Sequence, residues 1–258
     1  MIDSSIMNAI FITGTAGSGK SLLTSKLLQW YEDHNSFAIS LNLDPGTIDL
    51  PYEPDIDVRK YIDINQLMNS HQLGPNGALM LANDMIATQL VEIQNEVDSL
   101  NAEYVLVDTP GQIELFAFRE SGLYFVSHFR SENKATLFIF DGILVSSPIN
   151  YVSISLLASS IKLRLKTPQI NLLTKRDLII ERLPEILGWS ASTASLESAL
   201  DKEKDSETSF LSKELVRSLN SGGFLEEIIA VSSLTMNGMV TLSASLSRIL
   251  NQGEEVNR

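Results

Sequence analysis

Eight residues near the start of the chain have the types and the spacing of a phosphate-binding loop. They read Gly14-Thr15-Ala16-Gly17-Ser18-Gly19-Lys20-Ser21 and fit the pattern G-x-x-x-x-G-K-[ST]. Glycines allow successive backbone N–H groups to converge on one anion. Lys20 would place its charge on the β- and γ-phosphates, and the Ser21 hydroxyl would ligate Mg²⁺. The loop predicts binding of a nucleoside triphosphate, and we include the next residue, Leu22, among the candidate nucleotide-binding positions.

A second polar group follows a strand that the apolar run at residues 104–107 predicts. It reads Asp108-Thr109-Pro110-Gly111-Gln112. A carboxylate at the end of a strand holds Mg²⁺ directly or through water, so Asp108 is a candidate metal-site residue together with Ser21. The Gly111 N–H would approach a γ-phosphate, and Gln112 would orient the attacking water. The alternative interpretation is an ordinary Pro-Gly turn.

A third group has the residues needed to distinguish guanine from adenine. Thr174-Lys175-Arg176-Asp177 resembles the [NT]-K-x-D motif with which GTPases bind the base. Asp177 would accept hydrogen bonds from guanine N1–H and N2–H₂, which adenine does not offer, while the stem of Lys175 packs over the ring. Ser232-Ser233-Leu234 resembles the last loop of such a site, whose backbone N–H groups contact the guanine oxygen. In isolation the tetrapeptide would be only a charged loop after a strand.

These groups all follow predicted strands, at the positions where the strands end. Strand patterns fall at residues 9–12, 37–43, 104–107, 136–140, 169–173 and 227–231. Helical patterns fall at residues 22–31, 64–70, 79–100, 116–129, 150–165 and 239–250. This alternation is typical of a parallel sheet covered by helices, which binds its ligand at the carboxyl ends of the strands. We predict an α/β fold of the P-loop NTPase type, a three-layer α/β/α arrangement with a mostly parallel central sheet and a helical insertion.

The rest of the chain suggests one domain with an insertion. Its 258 residues suffice for one large α/β domain, residues 1–258. Residues 44–61 are rich in Pro and Asp and are predicted to be irregular, and residues 73–78 form a predicted turn cluster. From about residue 190 to 222 the composition becomes polar, which predicts an exposed helical insertion without a core of its own. The charge run at residues 201–205 is expected to be solvated.

Composition limits the classes of partner. The chain has 19 Lys and Arg against 32 Asp and Glu, a net charge of −13, so nothing general attracts it to nucleic acid or to an anionic membrane. It has no cysteine, and its three histidines lack the spacing of metal ligands. Residues 1–7 carry acid rather than base, and no apolar run approaches the length of a membrane span. We expect a cytoplasmic protein with no membrane partner and no direct nucleic-acid partner.

In their order along the chain, the motifs resemble those of the GPN-loop GTPase family. The resemblance also rests on Asn42-Leu43-Asp44-Pro45 and Gly74-Pro75-Asn76-Gly77, and it covers almost the whole chain. It implies Mg²⁺-dependent hydrolysis of GTP to GDP and phosphate by a homodimer of the archaeal type. Each Gly-Pro-Asn loop would reach into the partner's site, where Asn76 would contact the γ-phosphate or the attacking water. The chain departs slightly from the family at Gly46, where a small residue such as Ala is usual, and at Thr174, where Asn or Ser is frequent.

Catalytic roles can be assigned within this scheme. Asp44, Gln112 and Glu114 are the candidates for orienting or activating the attacking water, assisted by Asn76. Asp44 is also a candidate for the outer shell of the magnesium ion, and the sequence leaves both roles open.

Two other functions remain open. A P-loop kinase acting on a polynucleotide or a nucleoside shares the phosphate loop, although the base motif argues against it. A non-catalytic assembly factor would use nucleotide only to set the conformation of the dimer. The family implies that the views can coexist, as a slow GTPase that acts as a switch in assembling a larger complex around a protein client.

Overall fold

Seven strands form one sheet in the computed structural model, which describes residues 7–203 and 205–251. Their bounds are β1 Asn8–Gly14, β2 Ala38–Asn42, β3 Ile56–Asp57, β4 Tyr104–Asp108, β5 Asn133–Asp141, β6 Gln169–Thr174 and β7 Ile229–Ala230. The spatial order is β3-β2-β4-β1-β5-β6-β7, and each neighbouring pair is parallel. The predicted parallel sheet is therefore confirmed, although β3 lies in the stretch that was predicted to be irregular. Two residues are too few to show a strand periodicity.

Helices cover both faces of this sheet. Their bounds are α1 Lys20–Asp33, α2 Ile64–His71, α3 Pro75–Ile86, α4 Leu90–Leu100, α5 Ile113–Ala117, α6 Glu120–His128, α7 Pro148–Leu165, α8 Leu183–Ala191, α9 Thr193–Leu200, α10 Ser206–Ser221 and α11 Met239–Leu250. α1 and α11 bury apolar side chains against Ile10, Ile12 and Leu137 on one face. The other helices pack against Phe11 and Phe138 on the opposite face. This is the predicted three-layer α/β/α arrangement.

The central position of β1 explains where the phosphate loop lies. All seven residues of β1 are buried, as expected for a strand covered on both faces. Because β1 runs between β4 and β5, its loop leaves the sheet in the crevice between them. Asn42 and Asp108 are paired in register, and so are Asp141 and Thr174. The carboxyl ends of β2, β4, β5 and β6 thus lie at the same edge of the sheet as this loop.

The single long helix predicted at residues 79–100 is wrong. α3 ends at Ile86, a 3₁₀ turn occupies Ala87–Gln89, and α4 begins at Leu90. The Thr88 hydroxyl donates to the Met85 carbonyl oxygen at 2.6 Å, and such local side-chain bonds compete with the helical ladder. The turn predicted at residues 73–78 is also wrong, because Gly74 caps α3 and Pro75 is its first residue. Proline favours this position, where its missing N–H costs nothing.

The single helix predicted at residues 116–129 is likewise interrupted. α5 ends at Ala117 and α6 begins at Glu120. Arg164 of α7 donates to the carbonyl oxygens of Ala117 and Phe118 at 2.6 and 3.2 Å, which satisfies groups freed at the break. α6 then folds back so closely that a Cβ on Gly122 would lie 1.9 Å from the Phe116 carbonyl oxygen. This contact requires glycine.

Residues 190–222 are helical as predicted, but the exposure predicted for them is wrong in part. Leu196, Leu200 and Val216 of α9 and α10 are fully buried in the core, which also contains Trp189. Of the predicted charge run, Lys204 lies outside the described residues, as does the acidic N-terminal stretch up to residue 6. The assignment of residues 1–258 to a single domain stays a prediction. Among the described helices, none is both long and apolar enough to cross a membrane.

Candidate nucleotide and metal site

The phosphate loop connects β1 to α1 in a conformation that depends on glycine. Gly17 and Gly19 have φ angles of +74° and +98°, a region that other residues rarely adopt. Gly19 is also the N-cap of α1, so the N-terminus of that helix points its N–H groups into the loop. The Ser18 hydroxyl is buried without a hydrogen-bond partner among the described residues. The loop thus combines a helix N-terminus with an unpaired hydroxyl.

Lys20 lies back across its own loop. Its side chain is almost buried, and Nζ donates to the carbonyl oxygens of Gly14 and Thr15 at 3.1 and 3.0 Å. Burial lowers the pKa of Lys20, while the nearby carboxylates of Asp108 and Asp44 act in the opposite direction. An ammonium group carries three N–H donors, so one remains for a phosphate oxygen.

Asp108 ends β4 with one oxygen paired and the other unpaired. Asp108 is only 2% exposed, and its Oδ2 accepts a hydrogen bond from the Tyr52 hydroxyl at 3.0 Å. Oδ1 is buried with no partner in the part of the chain that the structure describes. Burial raises the pKa of Asp108 to about 6, against the opposing effects of the Ser21 and Tyr52 hydroxyls and of the Lys20 charge. Tyr52, which lies 56 residues from Asp108 along the chain, was not predicted as a site residue.

These groups fit a magnesium ion. Mg²⁺ prefers oxygen ligands, keeps several waters and is usually held by one or two carboxylates together with substrate phosphates. An unpaired carboxylate oxygen of Asp108 beside the Ser21 hydroxyl provides such ligands. Within residues 7–203 and 205–251, no three or more His, Asp or Glu side chains are arranged so that they could hold a metal ion by themselves. Ser21 and Asp108 therefore supply protein oxygens for the ion, and waters or phosphate oxygens would supply its remaining ligands.

Asp44 follows β2 and connects two loops of the site. Its Oδ2 accepts a hydrogen bond from the Gly111 N–H at 2.8 Å, and its Oδ1 accepts one from the Gly46 N–H at 2.9 Å. The structure thus brings together two residues that the sequence assigned to the γ-phosphate end of the site. The Gly111 N–H, which was predicted to approach a γ-phosphate, donates its hydrogen bond to Asp44 in this structure.

A network of side chains that the sequence analysis missed lies behind Asp44. Asn42 Oδ1 accepts a hydrogen bond from the Asp44 N–H at 3.0 Å, and Asn42 Nδ2 donates to Asp57 Oδ1 at 3.0 Å. Asp57 is paired with Arg59, whose Nη2 lies 2.7 Å from Oδ2. The Asp57-Val58-Arg59 spacing was a signal for this ion pair, since both charges lie in one short segment.

The loop after β6 is bonded directly to the phosphate loop. Thr174 Oγ1 donates to the Ser18 carbonyl oxygen at 2.9 Å. Lys175 Nζ donates to the Gly17 carbonyl oxygen at 2.9 Å and to Asp141 Oδ2 at 2.7 Å. Asp141 follows the strand predicted at residues 136–140, so it lies at the same kind of position as Asp108, although no motif gave it a role.

Asp177 is joined to the last loop of the sheet. Its Oδ1 accepts a hydrogen bond from the Ser232 hydroxyl at 2.6 Å. Ser232 and Ser233 are buried, whereas the side chain of Leu234 is largely exposed. The two loops that the sequence assigned to the base are thus in contact with one another.

The other three predicted catalytic residues lie at the starts of two helices. Asn76 lies in the first turn of α3, Gln112 is the N-cap of α5, and Glu114 lies in the first turn of α5. All are exposed, and their side chains make no hydrogen bonds to other described residues. Their predicted roles stay predictions.

Comparisons with known proteins match nearly the whole described chain. A family model described as a conserved hypothetical ATP-binding protein matches residues 12–252. The GPN-loop GTPase PAB0955 of Pyrococcus abyssi is 37% identical over 181 residues, which are 69% of this chain and 71% of that protein. The GPN-loop GTPase QQT2 of Arabidopsis thaliana is 31% identical over 81% of this chain, which spans 55% of that protein. The crystal structure of PAB0955 in its apo form superposes with a TM-score of 0.82 at 29% identity, covering 95% of this chain and 98% of that one.

Proposed function

The chain belongs to the GPN-loop GTPase family, and on that premise we propose that it hydrolyses GTP to GDP and phosphate in a Mg²⁺-dependent site. The buried, unpaired Oδ1 of Asp108 is the observation that carries this proposal, because a lone carboxylate oxygen beside a phosphate loop is stabilised by a cation. When bound, Mg²⁺ would neutralise charge that develops on the phosphates. Ser21 and Asp108 would hold it, with Asp44 as a further candidate.

The phosphates would be held by the protein's own donors. The loop at residues 14–21 supplies N–H groups and the Ser18 hydroxyl, and Lys20 supplies a charge that two carbonyl oxygens already orient. Phosphoryl transfer to water requires positioning and charge stabilisation rather than a covalent intermediate. Asp44, Gln112 and Glu114 remain the proposed groups for orienting the water.

Guanine selectivity is proposed from Asp177. Its Oδ1 is anchored by Ser232, which fixes the carboxylate so that Oδ2 can face the base. The matching family model is described as ATP-binding, whereas the relatives reported above are named GTPases. The chemistry of a carboxylate favours guanine, because adenine has no N1–H and would leave the carboxylate unpaired.

The hydrogen bond between Asp44 and Gly111 supports a nucleotide-dependent switch. A γ-phosphate oxygen and Asp44 Oδ2 would compete for the same N–H of Gly111. GTP would therefore release Asp44 towards the attacking water, and loss of phosphate after hydrolysis would restore the bond. This exchange would let the loops change position with the state of the nucleotide.

The dimer of the family is proposed for this chain as well. The Asn76 side chain is exposed and makes no hydrogen bond to the other described residues, which leaves it available to a second protomer. We place it at the partner's γ-phosphate, and we propose that the dimer acts in the cytoplasm as a switch in assembling a protein client. The net charge of −13 favours a protein client over nucleic acid.

The test is phosphate release from GTP and from ATP, each with Mg²⁺ and with EDTA, on the parent and on Asn76→Ala. We expect turnover only with GTP and Mg²⁺, and a lower rate for Asn76→Ala while chromatography still finds a dimer. Turnover of ATP at the same rate would contradict the base assignment. A phosphorylated nucleoside or polynucleotide in place of free phosphate would indicate a kinase, and no turnover despite tight GTP binding would indicate a purely structural switch.

A further inference from the structure

Arg59 holds two parts of the segment around Asp44. Its Nη1 donates to the carbonyl oxygens of Thr47 and Ile48, each at 3.1 Å. The other side of the guanidinium binds Asp57, with Nε 2.9 Å and Nη2 2.7 Å from Oδ2. A planar guanidinium can serve carbonyl and carboxylate oxygens at once because its five N–H donors have fixed directions.

Asp57 continues the connection towards the site. It is only 8% exposed, and its Oδ1 accepts hydrogen bonds from Asn42 Nδ2 and from the Arg59 backbone N–H, both at 3.0 Å. Asn42 is fully buried and binds the backbone N–H of Asp44. Arg59 therefore reaches Asp44 by two routes, one through Asp57 and Asn42 and one through the loop carbonyls.

The loop that carries Asp44 buries Pro45 but exposes much of the rest of its length. Ile48 is its large apolar residue and is 87% exposed, and Gly46 is exposed as well. A segment that buries little apolar surface depends on hydrogen bonds for its conformation. Because the carbonyl oxygens bound by Arg59 belong to this loop, loss of the guanidinium would release the loop and would leave Asp57, at the end of β3, without its cation.

We propose that Arg59 is a positioning residue that holds residues 44–48 so that the Asp44 carboxylate meets the Gly111 N–H. None of its hydrogen bonds to described residues reaches the phosphate loop or residues 174–177. Arg59 therefore acts on hydrolysis through Asp44 and leaves nucleotide affinity unchanged. The kinetic part of this inference rests on the proposed GTP hydrolysis, whereas its structural part does not.

The first experiment compares kcat and the Kd for GDP in Arg59→Gln, Arg59→Lys and the parent. We expect kcat to fall about 10- to 100-fold in Arg59→Gln, as for a misplaced catalytic group, with the Kd for GDP within about twofold. Arg59→Lys keeps the positive charge but loses the planar set of N–H donors, so its kcat should lie between that of Arg59→Gln and that of the parent. Arg59→Gln should add little to the loss caused by Asp44→Asn, because both act through one carboxylate.

Arg130→Gln is the matched control. Arg130 also pairs with an aspartate, Asp98, but this exposed pair lies near the N-terminal ends of β4 and β5, at the opposite edge of the sheet. Its loss should leave kcat unchanged. Equal kcat values for Arg59→Gln and the parent would overturn the kinetic part of the inference, and so would a loss of GDP affinity that matches the loss of kcat.

Amide hydrogen exchange in the nucleotide-free protein tests the structural part independently. We expect faster exchange at Asp44, Gly46 and Gly111 in Arg59→Gln, and unchanged exchange in β1 and β5. Unchanged exchange at all three amides would refute the positioning role. If the parent hydrolyses no GTP, the proposed function fails, and this exchange experiment still decides the inference.

Discussion

The two ends of the candidate site differ in how completely the protein pairs its own polar groups. At the base end, Thr174 and Lys175 donate to backbone oxygens of the phosphate loop, and Lys175 is further paired with Asp141. At the phosphate end, Asp108 Oδ1 and the Ser18 hydroxyl are buried without a partner in the described chain. At the base end these side chains are already hydrogen-bonded within the protein, whereas the phosphate end has polar atoms available to a ligand.

This difference indicates what each end contributes. A buried carboxylate oxygen without a partner costs free energy, which a bound cation and phosphate would recover. Among the described residues, the proposed base end has no buried side-chain polar atom without a partner, so we expect its groups to bind a base without first being rearranged. We therefore expect substitutions at the phosphate end to abolish the reaction, and substitutions at the base end to change which nucleotide reacts.

The largest effect is expected for Asp108→Asn. The amide keeps the size of the side chain but removes the charge that would hold Mg²⁺, so GTP hydrolysis should fall about 100- to 1,000-fold, as for loss of one strong electrostatic contact. GDP binding in EDTA should match that of the parent, which controls for folding. Hydrolysis at the parent rate would remove Asp108 from the metal site.

A smaller effect, of a different kind, is expected for Asp177→Asn. Loss of the carboxylate should weaken GTP binding about 10- to 100-fold, because guanine N1–H and N2–H₂ lose their shared acceptor. Xanthosine triphosphate should gain affinity, since its O2 accepts a hydrogen bond from the asparagine amide. The same preference for GTP over both ATP and xanthosine triphosphate in variant and parent would contradict the base assignment.

The smallest expected effect is a pH dependence of stability in the metal-free protein. Because burial raises the pKa of Asp108 to about 6 from 3.8, the folded state binds more protons than the unfolded state between these values. The contribution of Asp108 to the free energy of unfolding therefore falls as the pH rises from about 4 to about 6 and is constant at higher pH. The total loss is about 3 kcal/mol, because each unit of pKa difference corresponds to about 1.4 kcal/mol. In EDTA, the melting temperature of Asp108→Asn relative to that of the parent should rise by about 5 °C in total between pH 4 and pH 6.

Asp84→Asn provides a control of opposite sign for the melting experiment. Its hydrogen bonds with Arg119 hold the pKa of the Asp84 carboxyl below its ordinary value. The stability that Asp84 contributes is therefore present above about pH 4 and is lost as the pH falls through its folded pKa. If both variants respond to pH with the same sign, burial is not the cause of the Asp108 shift.

Much of the fold was predictable because its signals are local. Buried strands such as β1 and β4 are apolar runs, and the phosphate loop is contiguous, so pattern and position sufficed. The break between α5 and α6 was not predictable, because it depends on carbonyl oxygens that Arg164 caps from α7, 46 or more residues away. Local periodicity contains no information about such contacts.

The same distinction applies to the site. Asp44, Asp108 and Asp177 were predicted as site residues because each follows an apolar strand. Tyr52 and Arg59 were missed because their roles arise from partners that only the folded chain brings together, Asp108 for the one and the Thr47 and Ile48 carbonyls for the other. Asn76 was predicted from its motif, and its side chain makes no hydrogen bond to another described residue.

The most direct test is the affinity of the parent for a non-hydrolysable GTP analogue and for GDP, each measured by calorimetry in Mg²⁺ and in EDTA. Because the unpaired Asp108 oxygen would help to hold Mg²⁺ and the ion would offset the larger negative charge of a triphosphate, Mg²⁺ should strengthen binding of the analogue far more than that of GDP. Asp108→Asn should lose this difference, and Asp177→Asn should keep it while binding both nucleotides more weakly. If the parent binds each nucleotide with the same affinity in Mg²⁺ and in EDTA, the proposal that Asp108 helps to hold Mg²⁺ beside the phosphates is contradicted.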